Sequence, residues 1–253
     1  MKDLQGVQLT FQKGALSAFG DGELKILCVF GAIFNRLKLL YSMSFGHWAT
    51  AKDDSRSELA RSTALCGVVE SLILLAGELK EAWESIQECY HRSQVSRTLH
   101  PKLPANVQEA MKRCGGHFSG TSLTTYLRNN FANHNDAGEM LNVLKALDDP
   151  SEHTFYIFPQ DNKYFDYATK MRLAAIALHL NLQEWEWDTV IGKMVEIVVQ
   201  QVYADVHLAL NGILAELFTT VTLQREPVTL DGVRNWNEQP GEYFLAIDLA
   251  PLP

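Results

Sequence analysis

Apolar residues recur at spacings of three and four over most of this chain, the period of helices with one buried face. The first strong run, Leu24 to Phe34, predicts a long helix from Glu23 to about Phe45. A second helix, from about Ser55 to Ser93, is marked by Val68, Val69, Leu72, Leu75, Leu79 and Ile86, with Gly67 or Gly77 as candidate kinks. Pro101 and Pro104 break a polar linker over 94–105. A short helix over 106–114 ends at Gly115-Gly116. The next helix covers 122–134, with Thr121 or Ser119 as its cap. Asp136 and Glu139 then have the spacing of a capping box, which opens a helix through Leu147 closed by Asp149-Pro150.

The period changes at Thr154. Thr154–Phe158 and Lys163–Tyr167 are aromatic and β-branched, and Pro159–Asn162 between them are turn residues, so 154–168 predicts a hairpin. Met171 to Leu180 is apolar and fits strand or helix. Helical spacing returns over 183–221 as a long C-terminal helix, and Tyr243–Leu249 is a late strand candidate. No internal repeat or domain boundary is visible. The expected fold is mainly α: one domain over 1–253, a helical bundle with a core over 23–147 and a small inserted β-hairpin. Asn35, Arg36 and Glu70 interrupt apolar faces and read as satisfied packing contacts.

Composition narrows the function. Of 253 residues, 47% are apolar and 21% charged, as in ordinary globular proteins. A net charge of -8 argues against a generalised grip on nucleic acid or anionic lipid. The run at Leu24–Phe34 contains Lys25 and falls short of the roughly 20 residues a span needs, so no membrane segment is expected. The four cysteines form no C-x-x-C pair, which suits a reduced, cytoplasmic protein. Cys114 and His117 stand three apart without further ligands nearby, so no metal is expected. Phosphate-cradling and dinucleotide glycine motifs are absent, and no cofactor is expected.

One stretch carries chemistry. Leu127-Arg128-Asn129-Asn130-Phe131-Ala132-Asn133-His134 holds an arginine, a polar residue directly after it, and a histidine six residues on. Histidine transfers protons near neutrality, and arginine stabilises a phosphorane with a fixed fork of donors. Arg172 and His179 satisfy a similar spacing, but Leu173 follows that arginine in an apolar run. Six helical steps place Arg128 and His134 about 120° apart on an ideal helix, so a shared site needs a distorted helix end or side chains converging on a cleft. Between His91 and His134 six Arg or Lys stand against the single acid Glu109, a basic island in an acidic chain. Lys112, Arg113 and Arg97 are its candidate RNA-backbone contacts.

This stretch resembles the catalytic signature of the HEPN superfamily of helical-bundle ribonucleases: an arginine, often a polar residue directly after it, and a histidine after four to six intervening residues. Two long helices, a linker and a motif on a later helix are also similar. The explicit likeness covers about eight residues, and the helical context extends it loosely over 23–147. The resemblance implies metal-independent endoribonuclease chemistry in toxin–antitoxin or phage defence, with Arg128, Asn129 and His134 as catalytic residues. It also implies a homodimer whose paired motifs line one groove, an RNA substrate and an antitoxin protein as partner. The alternative is a non-catalytic HEPN-like bundle that serves interaction or nucleotide sensing.

Overall fold

The computed structural model describes residues 4–10, 13–132, 137–146, 155–157, 163–182, 186–219 and 224–230, and the fold is mainly α. Strand β1 (Leu4–Thr10) leads into α1 (Asp21–Ala51). Glu23 reaches back to accept the Gly20 N–H at 2.9 Å, which closes the open helix end. Asp21 and Glu23 also set negative charge against the helix dipole. At the far end Asp53 accepts the N–H and hydroxyl of Ser55 at 3.0 and 2.6 Å, which turns the chain. Ser57 then caps α2 (Glu58–Ser85) by accepting the Ala60 N–H at 3.3 Å.

α2 is the central element. Val68, Val69, Leu72, Ile73, Leu75, Ala76, Leu79 and Ala82 are all at most 1% exposed. Around it pack α1, α5 (Leu123–Leu127), α7 (Asp166–His179), α8 (Trp187–Met194) and α9 (Ala204–Phe218). The short α3 (Val95–Leu99) lies between α2 and α4 (Ala105–His117), and α4 packs on α9, where Val107 occupies the space beside Gly212. α6 (Ala137–Ala146) lies on α7. Strand β2 (Phe155–Ile157) pairs antiparallel with β3 (Lys163–Phe165), Tyr156 opposite Tyr164. The residues between them lie outside the described ones. β4 (Gln224–Leu230) pairs antiparallel with β1, Val7 opposite Pro227.

Several sequence expectations change. The second helix does not kink at Gly67 or Gly77; its regularity breaks at Ile86–His91, where the turn widens to π geometry and the Arg92 N–H bonds Gln87 O at 3.1 Å. The two glycines are close-approach points instead. The His47 ring fills the space beside Gly67, and an ideal Cβ on Gly77 would stand 2.8 Å from the Ala132 Cβ. α4 runs through Gly115 and Gly116 to His117, because His117 is anchored on α9 and Phe118 N–H closes the end on Cys114 O. The cap of α5 is Ser122, not Ser119 or Thr121: its hydroxyl accepts the Thr125 N–H at 3.3 Å. Met171–Leu180 resolves as helix, and α7 already begins at Asp166, so the expected hairpin span of 154–168 is too long. The long C-terminal helix is α8, a wide-turn stretch Val195–Tyr203 and α9 in continuity, from Trp187 to Phe218. The strand candidate at Tyr243–Leu249 and the Asp136 cap lie outside the described residues.

Three stretches, Asp21–Ala51, Glu58–His91 and Trp187–Phe218, are each long and apolar enough to cross a membrane by length and composition. The shortness of the Leu24–Phe34 run therefore decides nothing about a span.

Gly77→Ala would press one helix methyl on another, with no flexible arm to yield. Urea unfolding is expected to show a loss of about 1–3 kcal/mol. Gly31→Ala, with open space around it, is expected to gain up to about 1 kcal/mol.

Candidate functional site

The Arg128 stretch is seated on the C-terminal half of α2. Ser122 starts the helix, and Leu123, Thr124 and Leu127 bury its inner face. At Arg128–Ala132 the helix widens to a π turn. Phe131 is buried there, edge-on to Tyr126 at 5.8 Å, and Ala132 lies over Gly77. This packing fixes the direction of Arg128. Its Nη2 donates to Glu81 Oε1 at 3.0 Å and its Nη1 to Asn129 Oδ1 at 3.3 Å. The Arg128 side chain remains 33% exposed and that of Glu81 48%. Nε of Arg128 is buried with no hydrogen-bond partner among the described residues. The widening begins at Arg128 itself. His134 lies outside the described residues, so the structure places two of the three expected catalytic side chains together.

Glu81 is a member of this site that the sequence reading missed. One turn before it, Glu78 pairs with Arg36 of α1 at 2.8 Å. Burial pushes the Glu78 carboxyl up; Arg36 draws it back, and the neighbouring Glu81 charge adds to the rise. The Glu81 charge therefore bears on Glu78 along α2. The rival pair is otherwise engaged: Arg172 is bound to Glu70, and the His179 ring stacks on Tyr126 at 4.0 Å.

The basic island divides. Lys112 donates to Glu109 at 2.8 Å on the surface of α4. Arg113 points to α9, where its Nε donates to Asp205 Oδ2 at 2.9 Å and Nη2 to Oδ1 at 2.6 Å. His117 joins the same carboxylate, Nε2 to Oδ2 at 2.8 Å. Arg97 stands exposed on α3. The structure thus turns Arg113 toward α9 and Arg128 toward α2. Cys114 is fully buried and its thiol is pushed up to about 12, chiefly by burial and then by the Asp205 charge. Cys114 and His117 stand three apart, with the thiol buried and His117 turned onto Asp205. Among the described residues no group of three or more His, Cys, Asp or Glu side chains is arranged to hold a metal ion.

Two further features lie apart from Arg128. Tyr90 Oη is 3.4 Å from His100 Nδ1, and His91 packs edge-on to Trp83 at 6.0 Å. Burial, then the nearby His100, holds the His91 imidazole below its usual value. At the other end of α2 a polar cleft of about 640 Å³ opens between Lys52, Arg61, Lys170 and Trp187. Its Arg61 is about 30 Å along the helix from Glu81.

Asp205 supplies a pH dependence. Burial acts to raise its carboxyl, but hydrogen bonds from Arg113 and His117 outweigh that and hold it below the ordinary carboxylate value. A depressed folded value stabilises the fold above the unfolded carboxylate range and is lost as pH falls through the folded value. Wild-type unfolding followed by circular dichroism is expected to steepen below about pH 4. Asp205→Asn should flatten that acid limb and cost about 2 kcal/mol at pH 7.

No protein-family model, no curated protein and no solved structure matches this chain, so the reading of its site rests on the chemistry of these residues.

Proposed function

We propose that this chain is a metal-independent, HEPN-like endoribonuclease of toxin–antitoxin or phage-defence systems, acting in the cytoplasm as a homodimer. His134 is the general acid or base, Arg128 stabilises the phosphorane, and Asn129 orients the phosphate or the imidazole. The observation that carries the reading is the seating of Arg128 beside Asn129, on a widened turn locked to α2 at Gly77. Preorganised donors are what phosphorane stabilisation requires. Glu81 competes weakly for the guanidinium, because a half-exposed ion pair contributes about 0–1 kcal/mol. An RNA phosphate displaces it readily. Arg97, Lys112 and Arg113 contribute to backbone attraction, and an antitoxin is the natural neutralising partner.

The homodimer is supported by Leu39 and Leu74, 51% and 45% exposed, which stand one turn from the Arg36–Glu78 pair. A water-facing bundle rather than a membrane is supported by Arg36, whose side chain is 61% exposed midway along apolar α1.

One observation favours a second reading, a non-catalytic HEPN-like module for interaction or nucleotide sensing. Arg128 already holds Glu81 and buries its Nε, as a helix-packing arginine does.

The deciding assay is cleavage of total RNA in EDTA. Arg128→Ala and His134→Ala are each expected to lose at least about 100-fold, and Glu81→Gln to retain cleavage. Equal background in wild type and both alanine variants would establish the second reading instead. In analytical ultracentrifugation the wild type is expected to sediment as a dimer and Leu74→Asp as a monomer.

A further inference from the structure

α1 and the long C-terminal helix run antiparallel, with Lys52 against Asp188, Tyr41 against Tyr203 and Phe34 against His207. The Lys52–Asp188 bond at 2.9 Å and the Tyr41–Tyr203 stack at 4.7 Å pin the two helices at separate points. Between those points they leave a cavity of about 350 Å³. Its floor is Val68 and Leu72 of α2, each 1% exposed. Phe45 and Trp48 line it on the α1 side, Val195 and Val199 on the other. Gly192 also lines it and contributes no side chain: a Cβ there would meet nothing within 4 Å. Both aromatic rings are held from outside the cavity. Lys52 Nζ stands 4.8 Å from the centre of the Trp48 ring, and the Tyr41 ring lies 4.8 Å from that of Phe45.

No side chain of the lining carries a charge, and the Lys52–Asp188 pair beside it is closed on itself. Ser44 gives its hydroxyl proton to Leu40 O at 3.0 Å. Gln200 brings an amide to the lining at an exposed position, and Phe45 is 43% exposed, so the cavity opens to solvent beside them. At about 30 Å³ per molecule, roughly a dozen waters would lie against walls that give them few partners. Apolar cavities of about 150 Å³ already take up benzene.

We propose that this cavity is a binding site for a flat, uncharged aromatic molecule of one or two rings that carries one polar substituent. Its rings pack against Phe45 and Trp48, and the substituent bonds the Gln200 amide. A charged ligand would lose its water and meet no counter-charge in the lining. Walls already fixed in place leave little to order on binding. The site is independent of the Arg128 reading, since it needs neither Arg128 nor His134.

The test is NMR of the full chain, following the Trp48 indole N–H, assigned with Trp48→Phe. The probes are 2-naphthol, uncharged at neutral pH, and 2-naphthoate, the same rings with a charge. 2-Naphthol is expected to shift the Trp48 signal saturably, with 2-naphthoate at least about tenfold weaker. Gln200→Ala should weaken 2-naphthol about three- to tenfold. Gly192→Leu puts a side chain into the space and should abolish the shift with the helical circular dichroism retained. If that variant does not fold, Phe45→Ala, at an exposed position, is expected to weaken binding about tenfold. No saturable shift, an equal response to 2-naphthoate, or full binding in folded Gly192→Leu or Phe45→Ala would overturn the site. A Trp48 signal that follows protein concentration and not 2-naphthol would also overturn it, and would assign the cavity to a second copy of the chain.

Discussion

The burial of α2 constrains everything else. A helix walled in by α1, α5, α7, α8 and α9 has no apolar choice wrong, but each charge on it must find a partner at a contact. Three of its acids, Glu70, Glu78 and Glu81, do so with arginines from three different elements. Glu70 takes Arg172 of α7, Glu78 takes Arg36 of α1, and Glu81 takes Arg128 from the stretch after α5. Apolar packing tolerates sliding. An acid that must meet one particular guanidinium does not, so these pairs set where each neighbour sits along α2 more than how strongly it binds.

The wide turns follow from the same constraint. Continuous helices cannot match their neighbours over long distances at one fixed pitch, and an extra residue per turn shifts the face. Ile86–His91, Arg128–Ala132 and Val195–Tyr203 widen at contacts with other helices. At Arg128–Ala132 the widening lets Phe131 and Ala132 reach α2 while Arg128 stays at the surface. The geometry that gives the candidate arginine a fixed direction is thus a by-product of fitting one helix onto another.

What the sequence reveals, and what it hides, divides along this line. Periodicity locates the long helices because their apolar faces are wide and continuous. It also identifies Arg36 and Glu70 as paired contacts, since a charge on an apolar face has few other roles. It misplaces the kink, because Gly67 and Gly77 mark close approach of another chain segment and not weakness in their own helix. It misses the β1–β4 ladder, whose partners are separated by almost the whole chain. It finds Arg128 and Asn129 by their adjacency but not Glu81, whose contact is formed across 47 positions. Asp205 left one legible trace, an acid within an apolar helical run, yet its partners lie 88 and 92 positions away.

The two arginines closest to chemistry differ in what stands behind them. Arg128 faces a half-exposed carboxylate, and water screens that pair, so the guanidinium is exchangeable between Glu81 and an incoming phosphate. Arg113 faces a carboxylate whose side chain is 10% exposed and which is also held by His117. Releasing it would strand a charge between helices, at a cost of several kcal/mol. Arg113 is therefore held where it stands on Asp205, whereas the Arg128 pair is one that water screens. The first arrangement suits a fixed clamp between α4 and α9; the second leaves a guanidinium that can change partner, as the proposed phosphorane role requires.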